Sequence, residues 1–286
     1  MTIKNLLIYG ASGWLGRQTI NYILKNNVDV NLVLVSSKDI DLRFSNMKYK
    51  SISYSDFQNL KNQNFDFFLN YGFLTQEKIG KMKKEDYLYA TNEIINSYSN
   101  FMEKNYIKKS LLTSSGAVYW KGTNKENLYT TQKLQQEREF KSINAQLNSD
   151  YIIARIFGVI GSQYDFNKNY AFTSFIKSGM KRESISINSK HKVLRSYLYF
   201  ENLLEYFFNL DHKNLTIDAW DDNFDIYELA LKIAEIYDVK VNVSDEYFSS
   251  EEVDKYISTD NKFKEIYNFI FSKKNLEKII KEKKIF

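Results

Sequence analysis

Lys4 to Asn26 reads KNLLIYGASGWLGRQTINYILKN. Lys4 to Tyr9 is a short apolar run of strand length. Gly10, Gly13 and Gly16 follow at GxxGxxG spacing, and Leu15, Thr19, Ile20, Ile23 and Leu24 then recur at helical intervals through Arg17 to Asn26. The order is strand, glycine turn, helix. Glycine permits a tight turn and lets backbone N–H groups approach a phosphate, and the following helix N-terminus adds partial positive charge. The stretch therefore predicts nucleotide binding at the head of a parallel α/β sheet, with a merely structural turn as the alternative.

The rest of the chain repeats the alternation. Strand-like runs fall at Val28 to Val35, Lys48 to Ser53, Phe65 to Leu69, Ile107 to Thr113 and Tyr151 to Ile156, with helical segments at Asp56 to Lys61, Asp86 to Lys104 and Thr130 to Ile143. This predicts a doubly wound parallel sheet with helices on both faces and right-handed connections. Beyond Gly161 the alternation loosens. Ser162 to Asn169 reads as a polar loop, Tyr170 to Gly179 as a helix and Ser184 to Asn188 as a strand. Glu201 to Leu210 and Ile226 to Tyr237 read as amphipathic helices, and Lys273 to Lys284 as a Lys-rich one. The expected division is a dinucleotide-binding domain over 1–161, with return elements near 197–220, and a smaller interleaved substrate-binding region over 162–286.

The second strand ends Val35-Ser36-Ser37-Lys38, with no acid before Asp39. An Asp or Glu at that end ordinarily holds the ribose diol of NAD. Two hydroxyls and an ammonium suit a ribose 2′-phosphate better, so NADP is favoured over NAD.

A second informative stretch is Leu111 to Lys133, LLTSSGAVYWKGTNKENLYTTQK. An apolar strand breaks at Ser114, Ser115 and Gly116, and Tyr129 and Lys133 follow one helical turn apart. The Tyr-x-x-x-Lys spacing occurs twice, and the other pair, Tyr164 and Lys168, lies in the polar loop with no hydroxyl upstream. On a helix, positions i and i+4 share a face, so Lys133 could draw the Tyr129 phenol down from about 10 towards neutrality. A hydroxyl, a phenol and an ammonium can move a proton at a carbonyl or alcohol oxygen when an electron carrier lies beside them.

Composition removes other chemistries. The 286 residues are 43% hydrophobic and 26% charged, ordinary for a soluble globular protein. There is no cysteine, which excludes disulfides, thiolate nucleophiles and Cys-ligated metals, and the two histidines, His191 and His212, lie in polar segments. No metal site is expected. The net charge of +5 is scattered among 35 acidic residues without a basic stripe, so nucleic acid is not an expected partner. No apolar run approaches the ~20 residues that cross a bilayer, and Met1 to Lys4 passes into a strand without signal-peptide character, which predicts a cytoplasmic protein away from membranes.

With these residues in place, the chain resembles the extended short-chain dehydrogenase/reductases, the NAD-dependent epimerase/dehydratase family acting on sugar nucleotides. The resemblance rests on Gly10 to Gly16, on Ser114-Ser115-Gly116-Ala117-Val118-Tyr119 and on Tyr129-x-x-x-Lys133. It continues through Ala154 to Gly161, similar to the family's RxFNVYG segment, and Arg195 to Asn202, similar to its R-D-aromatic-hydrophobic-D segment. The resemblance implies a Rossmann-type fold and a nucleotide-sugar substrate. It makes Ser115 the hydroxyl that orients the substrate oxygen, Tyr129 the proton-transfer residue, and Lys133 the ligand of the nicotinamide ribose, supported by Asn92. Arg195 becomes the contact to the substrate diphosphate. The implied cofactor contacts are Gly10, Ser12, Gly13, Trp14, Leu15 and Gly16 in the turn, Ser36, Ser37 and Lys38 after the second strand, and Tyr71, Tyr129 and Lys133. A homodimer through the two long helices is implied as well.

Departures from the family narrow the function. Gly116 and Ala117 stand where dehydratases carry an Asp-Glu pair, which argues against dehydration. The interval from Ser115 to Tyr129 is short, Asn202 replaces the usual Asp, and Asn70-Tyr71-Gly72-Phe73 lacks the usual small residues beside the nicotinamide. The expected activity is reduction of a nucleoside-diphosphate 4-keto-6-deoxyhexose with NADP or NAD. The alternatives are a 4-epimerase that retains NAD and a non-catalytic NAD(P)-binding sensor or scaffold.

Overall fold

The computed structural model describes residues 3–44, 47–161, 170–211, 213–270 and 276. The expected loop at Ser162 to Asn169 with Tyr164 and Lys168, His212, and most of the helix expected at Lys273 to Lys284 lie outside the described residues.

Leu6, Leu7, Ile8 and Tyr9 are fully buried, because an apolar run without alternation is buried on both faces of a parallel sheet. In chain order the elements are β1 (Lys4–Tyr9), α1 (Trp14–Lys25), β2 (Val30–Val35), β3 (Ile40–Phe44), β4 (Met47–Ser51), α2 (Tyr54–Phe57), β5 (Asn64–Asn70), α3 (Lys84–Lys104), β6 (Tyr106–Ser115), α4 (Leu128–Gln146) and β7 (Asp150–Ile156). There follow β8 (Val159–Ile160), α5 (Ala171–Met180), β9 (Ile185–Ile187), β10 (Lys192–Tyr199), α6 (Phe200–Asn209) and β11 (Leu215–Ala219). The remainder are β12 (Asp222–Asp225), α7 (Ile226–Tyr237), β13 (Val241–Val243), α8 (Glu246–Ser249), β14 (Val253–Tyr256) and α9 (Lys262–Ile270). Among the described residues no helix is long and apolar enough to cross a membrane.

The chain divides into two units, Met1–Arg155 with Phe207–Ile217, and Ile156–Tyr206 with Asp218–Phe286. The first is a Rossmann-type α/β unit built on a six-stranded sheet in the order β11-β7-β6-β5-β1-β2. β1 pairs in parallel with β2 on one side and β5 on the other, and β5 pairs in parallel with β6. The strand order reverses at β1, and a ligand crevice opens outside the carboxyl ends of the strands at such a reversal. Phe57, Phe68, Tyr98, Phe101 and Phe140 fill the core on one face of this sheet.

One strand assignment needs correction. The run expected at Lys48 to Ser53 does not extend the parallel sheet: β4 folds back on β3 as an antiparallel hairpin. Only Ile52 returns to the sheet, bridging Val35 in parallel. The alternating charges Asp41, Arg43, Lys48 and Lys50 explain this, since they suit a half-exposed hairpin and not a strand buried on both faces.

The second unit contains a β12-β10-β14 sheet with β8 also paired to β10, and a β13-β9 pair. Its core gathers Phe172, Phe175 and Ile176 of α5 with Leu229, Ala230 and Ile233 of α7.

Candidate active site

The glycine turn is shaped by absent side chains. Gly10 adopts φ +88°, where L side chains are strained, and a Cβ there would lie 2.9 Å from the Gly72 amide nitrogen. A Cβ on Gly16 would lie 2.6 Å from the Ala11 backbone, so only glycine lets α1 start against the turn. Gly13 is the N-cap residue of α1, with no side-chain cap and no acid in the first turn. The first-turn N–H groups thus face the turn without a competing carboxylate, as an anion site requires. Ser12, Trp14 and Leu15 are half-buried along this turn, and the Ser12 carbonyl accepts from Arg17 Nε at 3.0 Å.

At the end of β2, Ser36 is 1% exposed and its hydroxyl has no partner, whereas Ser37 and Lys38 are exposed. A glycine cradle and an orphaned buried hydroxyl at the adjoining strand end fit a dinucleotide. Tyr71, after β5, is half-buried. Its hydroxyl is 2.8 Å from Thr19 Oγ1 of α1, and burial pushes the phenol up.

The proton-transfer residues stand at the carboxyl end of β6 and the start of α4. Ser115 ends β6 and its Oγ accepts from the Ala117 N–H at 3.2 Å, capping the single turn Gly116–Trp120. The Asn127 side chain accepts from Thr130 N at 3.1 Å and so caps α4 just ahead of Tyr129. Lys133, one turn on, is 4% exposed. Its ammonium donates to the Thr113 carbonyl at 3.1 Å and to Gln136 Oε1 at 2.9 Å. It also lies 5.9 Å from the Tyr129 ring centroid and 4.1 Å from that of Phe73. Phe73 in turn meets the Tyr129 ring edge-on at 6.1 Å. Burial pushes Lys133 down to about 7, with Glu137 opposing the shift.

Asn92 is not a partner of Lys133. Its Oδ1 accepts from Gln135 Nε2 at 3.3 Å, and Gln136 occupies the supporting role one turn further along α4. The neighbouring Thr91 donates to Gln132 Oε1 at 2.7 Å, joining α3 to α4.

A network missed by sequence reading lies beneath these groups. Ser114 donates to Glu137 Oε1 at 2.6 Å, and Arg155 grips Glu137 with Nε at 2.9 Å and Nη2 at 2.8 Å. Arg155 Nη1 reaches the Tyr119 hydroxyl at 3.0 Å. Glu137 is 3% exposed, and a carboxylate this deep requires the bidentate partner it has. The signal that could have found it is the ladder Tyr129, Lys133, Glu137 at i, i+4, i+8 of one helix face.

Arg195 lies on β10 in the second unit. Its guanidinium is engaged within that unit, Nη1 on the Asp254 carbonyl at 3.0 Å and Nη2 on Asp254 Oδ2 at 2.5 Å. A substrate diphosphate at Arg195 would compete with this carboxylate. Asn202, where the family has Asp, is fully buried and donates to Asp221 Oδ1 at 2.9 Å, a position where a second carboxylate would repel the first. Among the described residues no group of three or more His, Cys, Asp or Glu could hold a metal ion.

Residues 6–214 match the family described as NAD dependent epimerase/dehydratase. No curated protein matches the sequence. Among solved structures, the chain is similar to a UDP-N-acetylglucosamine 4-epimerase from Methanobrevibacter ruminantium in complex with UDP-N-acetylmuramic acid. That likeness has 20% identity and TM-score 0.69 and covers 99% of this chain and 97% of that one. It is similar to a UDP-glucuronic acid 4-epimerase variant from Bacillus cereus, in complex with a fluorinated UDP-sugar and NAD, at 14% identity and TM-score 0.73, covering 99% and 100%. A dTDP-glucose 4,6-dehydratase from Bacillus anthracis in complex with NAD matches at 10% identity and TM-score 0.68, covering 98% and 94%. At such identities the likenesses establish the fold.

Proposed function

The chain belongs to the NAD dependent epimerase/dehydratase family, enzymes of the extended short-chain dehydrogenase/reductase type, and from that premise we propose that it reduces a carbonyl carbon of a nucleotide-linked sugar. A nicotinamide dinucleotide, when bound, supplies the hydride. The glycine turn and the first-turn N–H groups of α1 would hold its phosphates. Ser36, Ser37 and Lys38 would face the adenosine ribose, where exposed Lys38 and the absence of a carboxylate before Asp39 favour a 2′-phosphate and hence NADP.

Tyr129 then gives its phenolic proton to the substrate oxygen while Ser115 orients that oxygen, and Lys133 holds the nicotinamide ribose and tunes the phenol. The observation that carries this reading is the position of the Lys133 ammonium, bonded to Thr113 at the end of β6 and close to the Tyr129 ring. Gly116 and Ala117 are buried in the turn after Ser115 and offer no acid or base, which argues against dehydration. The substrate we favour is a nucleoside-diphosphate 4-keto-6-deoxyhexose. Arg195 is kept as the candidate diphosphate contact, with Asp254 as its present partner. A cytoplasmic homodimer pairing α3 and α4 is the expected assembly, and light scattering that gave a monomer at micromolar concentration would contradict it.

Retained-cofactor 4-epimerisation is the second reading, favoured by neighbours that are themselves 4-epimerases. Mass analysis of nucleotide released on denaturing the purified protein separates the two. Stoichiometric NAD supports the epimerase, and an empty or NADP-loaded protein supports the reductase.

A further inference from the structure

The exit of β5 places an aromatic ring where the proposed function needs a polar ligand. Gly10 and Gly72 approach so closely that no Cβ fits between them, so the glycine turn and the β5 exit form one continuous carboxyl-end edge. A dinucleotide laid from that turn towards Lys133 must pass the β5 exit, and the next residue along it is Phe73. The Phe73 ring is half-buried, stands 4.1 Å from the Lys133 ammonium and meets Tyr129 edge-on. An ammonium has three N–H donors. Two of those on Lys133 are taken by Thr113 and Gln136, and the third side is covered by the Phe73 ring. No donor is left for a ribose hydroxyl in this arrangement.

We propose that Phe73 is an affinity-determining residue for the cofactor: its ring occupies the side of Lys133 that the nicotinamide ribose uses, and the dinucleotide binds by displacing it. The inference rests on the dinucleotide-dependent function proposed above. Ring and ribose then compete for one ammonium, and apparent affinity is reduced by the fraction of molecules in which the ring is seated. A cation–π contact of this class corresponds to roughly twofold to thirtyfold in an equilibrium, the larger values belonging to a desolvated ammonium. The consequence is a weakly held cofactor that leaves after each turnover, as a net reductase requires.

Titration calorimetry of NADPH and NADH into the full-length wild type, Phe73→Ala and Phe73→Leu tests it, with cooperative thermal unfolding checked for each. The expected result is about tenfold tighter binding by Phe73→Ala, with Phe73→Leu in between because it keeps bulk and loses the π face. Equal or weaker binding by a cooperatively folded Phe73→Ala overturns the proposal. Should that variant fail to fold, Phe73→Leu decides alone, tighter binding supporting the proposal and equal or weaker binding overturning it. Absence of binding by all three folded proteins at millimolar nucleotide overturns the dinucleotide reading itself, an outcome distinct from equal binding.

Discussion

Two regions of the same sheet edge are built by opposite means. At the end of β1, space is made by removing side chains: Gly10, Gly13 and Gly16 leave only backbone, and Gly16 cannot carry even a methyl group without meeting Ala11. At the ends of β5 and β6, space is filled: Phe73, Tyr129, buried Lys133 and the Glu137–Arg155 pair interlock. The first region presents only groups every residue possesses. The second depends on which side chains meet, and it holds a buried charge whose protonation is set by its surroundings.

The largest effect should come from removing the chemistry of the filled region alone. Tyr129→Phe is expected to lower turnover by about 10²–10⁴-fold. Its dinucleotide affinity should stay within about twofold of wild type, since the glycine turn is intact. Steady-state rates and calorimetry on the same preparations read both, and a fall in affinity matching the fall in rate would erase the distinction between the regions.

Stability should separate them next. Glu137→Ala leaves the Arg155 guanidinium unpaired and Ser114 without its acceptor, and should cost about 3–5 kcal/mol in urea unfolding. Gly16→Ala overpacks the turn against the Ala11 backbone and should cost about 1–3 kcal/mol, with weakened nucleotide binding. A Gly16→Ala protein as stable as wild type would show that the turn tolerates side chains.

A further effect is in pH dependence. Burial pushes Lys133 down to about 7 and Lys109 down to about 8. Both folded values lie below the unfolded lysine value of about 10.4, so unfolding takes up protons between roughly pH 7 and 10, and stability should rise with pH across that window. Lys133→Met should reduce the gain between about pH 7 and 9 relative to wild type, as measured by melting temperature. An unchanged slope would mean that Lys133 is solvated.

The contrast also explains what the sequence disclosed. Glycine spacing, apolar runs and helical periodicity are local, so β1 and α7 fall on their expected residues, and β2, β5, β6 and β7 within one to two residues of theirs. The fold class and the positions of Ser115, Tyr129 and Lys133 were legible for the same reason. The filled region was not. Phe73 meets Lys133 across sixty positions, and Glu137 meets Arg155 across eighteen, and no period joins them. The partner of Asn92 was not legible because motif position gives the residue and not its rotamer: Asn92 accepts from Gln135, and Lys133 donates to Gln136. β3, β12, β13 and β14 are only three to five residues long, too short for period or propensity to mark them, and pairing with partner strands makes them strands.

The most direct test of the account is reduced-nicotinamide absorbance on mixing the protein with NADPH or NADH and a nucleoside-diphosphate 4-keto-6-deoxyhexose. Loss of absorbance is expected, faster with NADPH and abolished by Tyr129→Phe. No loss with either reduced cofactor, from a protein that binds both nucleotide and sugar nucleotide, would contradict it.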